Sequence, residues 1–261
     1  MGRRLGQHFL RPASVTRLLA VVDPRPDQSF LEIGPGGGAL TVPLCARAAR
    51  VTAVEVDPAL ADALRQRALP NLTVVEADAL TVDLAALAPP GTRLVGNLPY
   101  FISSPLLRRF LDLRDRVPDA HVMLQEEVAR RVASPPGSKE YGILSVLFAL
   151  WADVSIVLRF PPGAFQPAPK VHSAVVRIRF RSEPAVALSR PEAFAPLVAK
   201  AFTHRRRTLE NNLQDSYPNL KEHLRLLNIG GSRRAETLSV VEFAQLAGSL
   251  QTHEALVRAD G

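Results

Sequence analysis

The chain has 261 residues, 47% of them hydrophobic, with 32 Lys and Arg against 25 Asp and Glu and a formal net charge of +7. This length and apolar content suit one large folded domain, or a main domain with a small one, and exclude general disorder; no apolar run reaches the roughly 18 residues of a membrane-spanning helix. The lone Cys45 excludes an intrachain disulfide, the N-terminus lacks the apolar stretch of a secretory signal, and the basic excess suits a polyanionic partner, so a cytoplasmic protein is expected.

Residues 1–22 carry Arg3, Arg4, Arg11 and Arg17 and no acid, and from Ser14 the spacing of Leu18, Leu19 and Val22 predicts an amphipathic helix. Residues 29–33 read as the first strand. A glycine turn, Gly34-Pro-Gly-Gly-Gly38, follows, then a helix from about 39 to 49. Glycines there remove Cβ atoms where the backbone turns and approaches a ligand, and the helix start behind them favours negative charge. Residues 51–56 form the second strand, with Glu55 near its end. Asp57-Pro58 pairs an N-cap with a proline at the first helical position. Residues 72–76 are the third strand, followed by Asp78, and residues 93–96 the fourth, running into Asn97-Leu-Pro-Tyr100. By the same cap logic Ser104-Pro105 starts the next helix. A fifth strand (120–124), a helix (126–132), a loop (135–138), a buried helix (141–151), a sixth strand (154–160) and a seventh (174–180) complete the alternation. Strands alternating with helices imply a doubly wound, mostly parallel α/β sheet with right-handed crossovers. Beyond about 185 only helical patterns appear, at 191–202, 207–213, 220–227 and 237–250. We therefore expect an α/β domain over residues 1–185 and a small all-helical domain over 186–261.

The ends of the first four strands carry the glycine turn, Glu55, Asp78 and Asn97-Leu-Pro-Tyr100, and in a doubly wound sheet these ends converge on one crevice. Glu55 lies 21 positions after Gly34 (55 − 34), where an acid accepts hydrogen bonds from ribose hydroxyls. Asp78 suits the amine of an adenine. The turn and Glu55 alone also fit a nicotinamide-dependent oxidoreductase, since Gly34-x-Gly36-x-x-Ala39 matches that fingerprint. Asn97-Leu-Pro-Tyr100 instead suits methyl transfer to an amino group. The Asn97 side-chain carbonyl and the Leu98 backbone carbonyl can accept the two hydrogens of an adenine N6, whose lone pair is otherwise delocalised, and turn that lone pair toward a methyl donor. Tyr100 offers a ring on which an extracted base stacks, and Phe165 a second face for it.

Six segments resemble the rRNA adenine N6,N6-dimethyltransferase family: Gly6-Gln-His-Phe-Leu10, Glu32-Ile-Gly-Pro-Gly36, Val54-Glu-Val-Asp57, Asn97-Leu-Pro-Tyr100, Phe165-Gln-Pro-Ala-Pro-Lys-Val-His-Ser173 and Arg205-Arg-Arg-Thr-Leu-Glu-Asn-Asn-Leu213. The likeness runs from about residue 3 to 248 and is greatest to the bacterial small-subunit (16S) members. It implies a Rossmann-like methyltransferase sheet, S-adenosylmethionine as cofactor, and dimethylation of two adjacent adenines in the 3′-terminal hairpin of small-subunit rRNA, within an assembling 30S particle and by a monomer. It assigns cofactor contacts to His8, Leu10, Gly34, Gly36, Glu55, Asp78 and Asn97. Many members have Asn where His8 stands, so that contact is through the backbone or the side chain. Candidate RNA contacts are Lys170, in a segment from 154 to 182 with four Arg and no acid, and Arg205, Arg206 and Arg207. Arg177, Arg179 and Arg181 share one face of the seventh strand and either follow phosphates or face water. The six histidines show no metal-ligand spacing, and no metal is expected. An RNA-binding assembly factor, or a large-subunit rRNA dimethyltransferase with the same motifs, are the remaining alternatives.

Overall fold

The computed structural model describes residues 8–250, so Arg3, Arg4 and the first two residues of the Gly6–Leu10 motif lie outside the described residues. The chain divides into two compact units. The first comprises the described residues up to Ala133 together with Ala152–Ser182; the second comprises Ser134–Trp151 and the described residues from Glu183 on.

The first unit contains β1 (Phe9–Leu10), α1 (Pro12–Val22), β2 (Ser29–Ile33), α2 (Thr41–Cys45), β3 (Arg50–Glu55), α3 (Pro58–Arg65), β4 (Leu72–Glu76), α4 (Leu84–Leu87), β5 (Arg93–Asn97), α5 (Ser103–Leu111), β6 (Asp119–Gln125), α6 (Glu126–Ala133), β7 (Ala152–Phe160), β8 (Phe165–Gln166) and β9 (Ser173–Phe180). Seven strands form one sheet in the order β4-β3-β2-β5-β6-β9-β7. The pairs among β4, β3, β2, β5 and β6 are parallel, whereas β9 runs antiparallel to both β6 and β7. Chain order reverses between β2 and β5, the switch point where open α/β sheets leave a crevice at their carboxyl ends.

Sheet register decides which side chains share that crevice. Phe30 pairs with Val51 and Arg93, and Glu32 with Ala53 and Val95. Because side chains alternate along a strand, Phe30, Glu32, Val51, Glu55, Val95 and Asn97 project from one face. On that face α1 lays Val15, Leu18, Leu19 and Val22 against Phe30, Val51, Val95, Met123 and Val175 in a buried cluster. Asp57 caps α3 as expected, accepting from Ala59 N–H at 2.9 Å and Leu60 N–H at 3.3 Å, worth about 1 kcal/mol.

Three local expectations are corrected. The helix after the glycines is only Thr41–Cys45, because turns continue through residue 40, so no long helix aims its N-terminus at the crevice. Helix α5 starts at Ser103 without a side-chain cap, after a short 3-10 turn, Tyr100–Ile102, so Ser104 is not its N-cap. Strands β1 and β8, two residues each, pair antiparallel and were not anticipated.

The second unit holds α7 (Ile143–Trp151), α8 (Pro191–Ala201), α9 (Leu209–Leu213), α10 (Leu220–Leu226) and α11 (Val240–Ser249). Helix α7 is apolar almost all round and packs on α8 and α11, with Tyr141, Phe202 and Phe243 in ring-to-ring contact nearby. Residues 134–151, expected within the first domain, therefore group with the C-terminal helices, and the expected boundary near 185 falls at Ser182/Glu183. A capping box, Ser239 with Glu242, starts α11. Among the described residues no helix is long and apolar enough to cross a membrane.

Candidate active site

The crevice at the β2/β5 switch point is lined by the ends of β2, β3, β4 and β5 and by His8, Phe9 and Leu10. The structure brings together His8, Leu10, Gly34, Gly36, Glu55, Asp78, Asn97, Leu98 and Tyr100.

The segment from His8 is strapped in place by β1–β8 pairing, by Arg11 N–H to Ala164 O at 3.0 Å, and by the Arg11 guanidinium on Gln166 Oε1 at 2.9 Å. It crosses the glycine turn so closely that a Cβ on Gly36 would sit 2.7 Å from the Phe9 ring. Gly36 has φ +54° and Gly34 φ +70°, conformations that L side chains avoid. Between β5 and β2 it is Gly96 that permits close approach, since a Cβ there would sit 2.7 Å from the Ile33 backbone oxygen.

Glu55 is 3% exposed and accepts three backbone N–H groups: Gly36 at 2.9 Å on Oε2, and Val56 and Asp57 at 3.0 Å each on Oε1. One carboxylate thus ties the glycine turn to the end of β3. Asp78 is exposed, and its Oδ1 accepts from Leu80 N–H at 2.8 Å. Asn97 donates from Nδ2 to the His8 carbonyl at 2.9 Å. A carbonyl only accepts, so the amide must present its NH2 there, which leaves Oδ1 as its acceptor. His8 is held through both parts: its backbone by Asn97, and its ring by Nδ1 to Pro167 O at 2.8 Å and by stacking on Tyr100, centroids 5.8 Å apart. The Tyr100 hydroxyl lies 2.8 Å from the buried Ser173 hydroxyl; burial raises its pKa, and Ser173 offsets part of that. The Leu98 side chain is buried, so what it offers the cleft is mainly backbone.

Glu32 is a site residue that the sequence does not single out. It lines the cleft at 2% exposure, and its Oε2 has no hydrogen-bond partner among the described residues. Burial pushes its pKa up to about 7, the nearby Thr41 hydroxyl offsets some of this, and the Glu55 charge adds to it. Its signal was the register itself, which places it on the face of Glu55 and Asn97. Phe101 and Ile102 also line the cleft, and their only signal was adjacency to Tyr100.

One expected residue is not brought there. Phe165 is 1% exposed, packed edge-on against Phe160 in the hydrophobic cluster and outside the cleft lining, so it provides no second face for a base in this structure. The reason is β1–β8 pairing, which sets Phe165 opposite Leu10. Arg205 donates to the carbonyls of Lys139 and Tyr141 and pairs with Glu236 at 3.1 Å, so it ties loops of the second unit together. Arg206, Arg207 and Lys170 are exposed. Arg179 on β9 is exposed, and Arg181, just beyond the strand, is paired with Asp153.

Among the described residues the lining contains three carboxyl groups, Glu32, Glu55 and Asp78, and no Lys or Arg. That set repels a pyrophosphate and suits a ligand with cationic centres, hydroxyls and an amine.

Comparison with known proteins agrees with this chemistry. The family model described as ribosomal RNA adenine dimethylase matches residues 2–252. A Xylella fastidiosa protein named ribosomal RNA small subunit methyltransferase A is 42% identical over 256 residues, 96% of each chain. Among solved structures, the 23S rRNA methyltransferase ErmE is 30% identical with a TM-score of 0.68, covering 92% of this chain and 98% of that one. A dimethyladenosine transferase from Plasmodium falciparum, 24% identical with a TM-score of 0.78 over 92% of this chain and 96% of that one, shares the fold.

Proposed function

The chain belongs to the ribosomal RNA adenine dimethylase family and is a methyltransferase, and from that premise we propose that it uses S-adenosylmethionine to dimethylate N6 of two adjacent adenines in the 3′-terminal hairpin of small-subunit (16S) rRNA. It acts in the cytoplasm as a monomer, on a small-subunit particle during assembly. The observation that carries this reading is the Asn97 amide, anchored through Nδ2 on His8, in a cleft where the carboxyl groups Glu32, Glu55 and Asp78 gather.

S-adenosylmethionine, when bound, supplies an electrophilic methyl group on a positively charged sulfur. The cleft residues fit it: Glu55 retains acceptor capacity on Oε2 for ribose hydroxyls, the second oxygen of Asp78 suits the adenine amine, and the unpartnered Glu32 oxygen meets positive charge. Leu10, Ile33, Val56, Ala79 and Ile102 supply apolar walls.

The target adenine leaves its stack and lies on Tyr100, whose hydroxyl is held by Ser173 and whose ring stacks with His8. Asn97 Oδ1 and the Leu98 carbonyl accept the two N6 hydrogens and direct the nitrogen lone pair at the methyl group. Methylated N6 carries a positive charge and is acidic enough to lose its proton to water, so no strong base is required of the protein. In the second round one hydrogen remains and one acceptor suffices. Arg206, Arg207 and Lys170 contact RNA phosphates, with the helical unit contributing to RNA binding.

The experiment is methyl incorporation into small-subunit particles lacking this modification. Formation of N6,N6-dimethyladenosine in the 3′-terminal hairpin supports the reading; particles that stay unmodified while the protein binds cofactor would refute it.

A further inference from the structure

Tyr100 and Phe101 are consecutive in one 3-10 turn but meet different surroundings. Tyr100 is turned inward, its hydroxyl on Ser173 and its ring against His8. Phe101 also lines the cleft, yet it is 67% exposed, more than any other large apolar side chain among the described residues. It therefore sits on the rim and adds little to the fold through burial. Since Phe165 is buried in the core, Phe101 is the solvent-facing aromatic the structure brings to the cleft mouth.

We propose that Phe101 is a second nucleobase subsite: it stacks the unpaired base that flanks the target adenine on the same RNA strand. The assignment rests on the rRNA reading above. Once one base is drawn onto Tyr100, its covalently linked neighbour must cross the rim beside it. An exposed ring accepts the flat face of any base, and stacking removes apolar surface from both. Where two adjacent adenines are methylated in turn, the one outside the cleft occupies Phe101. This holds the RNA between rounds without a base-specific hydrogen bond, and it selects for an unpaired dinucleotide over a lone flipped base.

The test uses Phe101→Ala, Phe101→Leu and Phe101→Trp with unmethylated small-subunit particles, measuring KM and kcat for methylation and, by calorimetry, the Kd for S-adenosylmethionine. Loss of one stacked base predicts a particle KM raised about 5- to 150-fold in Phe101→Ala and nearly as much in Phe101→Leu, with Phe101→Trp restoring the parent value. Cofactor Kd stays at the parent value in all three. A parent-like KM in Phe101→Ala overturns the assignment, as does rescue by Leu equal to that by Trp. A rise in KM matched by an equal loss of cofactor affinity overturns it too, by putting the ring on the cofactor. If the parent itself methylates no particle, the functional reading fails and this subsite falls with it; if the parent methylates normally and Phe101→Ala is indistinguishable, only the subsite fails.

Discussion

Replacing Glu32 with Gln should stabilise the protein above neutral pH. The parent carboxyl is 2% exposed, and burial, reinforced by the Glu55 charge, lifts its pKa from 4.5 to about 7. A group whose folded-state pKa is raised contributes stability that is fully present below the unfolded value and lost as pH rises through the folded one. Here that window runs from about 4.5 to about 7. The difference of about 2.5 units corresponds to an upper bound of about 3 kcal/mol. Gln keeps the shape but does not ionise, so any fixed cost of its amide is the same at every pH. Urea unfolding followed by circular dichroism should show the variant gaining on the parent by up to about 3 kcal/mol between about pH 5 and pH 8. The cofactor's positive charge should also draw the proton off Glu32. Binding near pH 7 would then release protons from the parent and not from Glu32→Gln, seen as a dependence of calorimetric enthalpy on buffer ionisation. A stability difference that stays constant with pH would refute the buried, uncompensated carboxyl.

Gly36→Ala combines a φ of +54° with a 2.7 Å contact to Phe9, so it should displace the His8–Leu10 strap and weaken cofactor binding, at a conformational cost of about 1–2 kcal/mol alone; Gly37→Ala, which meets nothing within 4 Å, should bind like the parent in the same calorimetry. Arg205→Ala should lower stability by about 1 kcal/mol, discounted for its exposure. Joint replacement of Arg206 and Arg207 by Ala should leave stability nearly unchanged and reduce the salt slope of RNA binding by about 1.5; an unchanged slope would show that neither meets a phosphate. Tyr100→Ala should weaken RNA binding as well as turnover, whereas Tyr100→Phe and Ser173→Ala, each removing one side of the same 2.8 Å hydrogen bond, should have equal and non-additive effects on kcat.

What was legible in the sequence followed from short-range rules. The strands of the parallel sheet emerge within a residue or two of their predicted bounds, because each is an apolar run between turn signals. Asp57-Pro58 fixed a helix start because cap and proline act within one turn. Most cleft residues were legible for a topological reason: in a doubly wound sheet, strand ends converge whatever the loops do. Several misses share a cause, dependence on a distant partner. A two-residue strand such as β1 has no periodicity, so neither the strap nor the burial of Phe165 opposite Leu10 could be read locally. The charge run at 205–207 does not reveal that Arg205 finds two carbonyls and Glu236. A helix that is apolar all round, like α7, says that it is buried but not against what. Glu32 looked like a strand residue until its pairing set it beside Glu55.

The most direct test of the central claim is nucleoside mass spectrometry of rRNA from cells deleted for this gene and complemented with the parent or with Asn97→Ala. The account predicts N6,N6-dimethyladenosine at both hairpin adenines of small-subunit rRNA with the parent. It predicts neither mark with Asn97→Ala, because the lost acceptor acts on the attacking nitrogen. Parent-like dimethylation by Asn97→Ala would contradict it, and so would a mark that appears only in large-subunit rRNA.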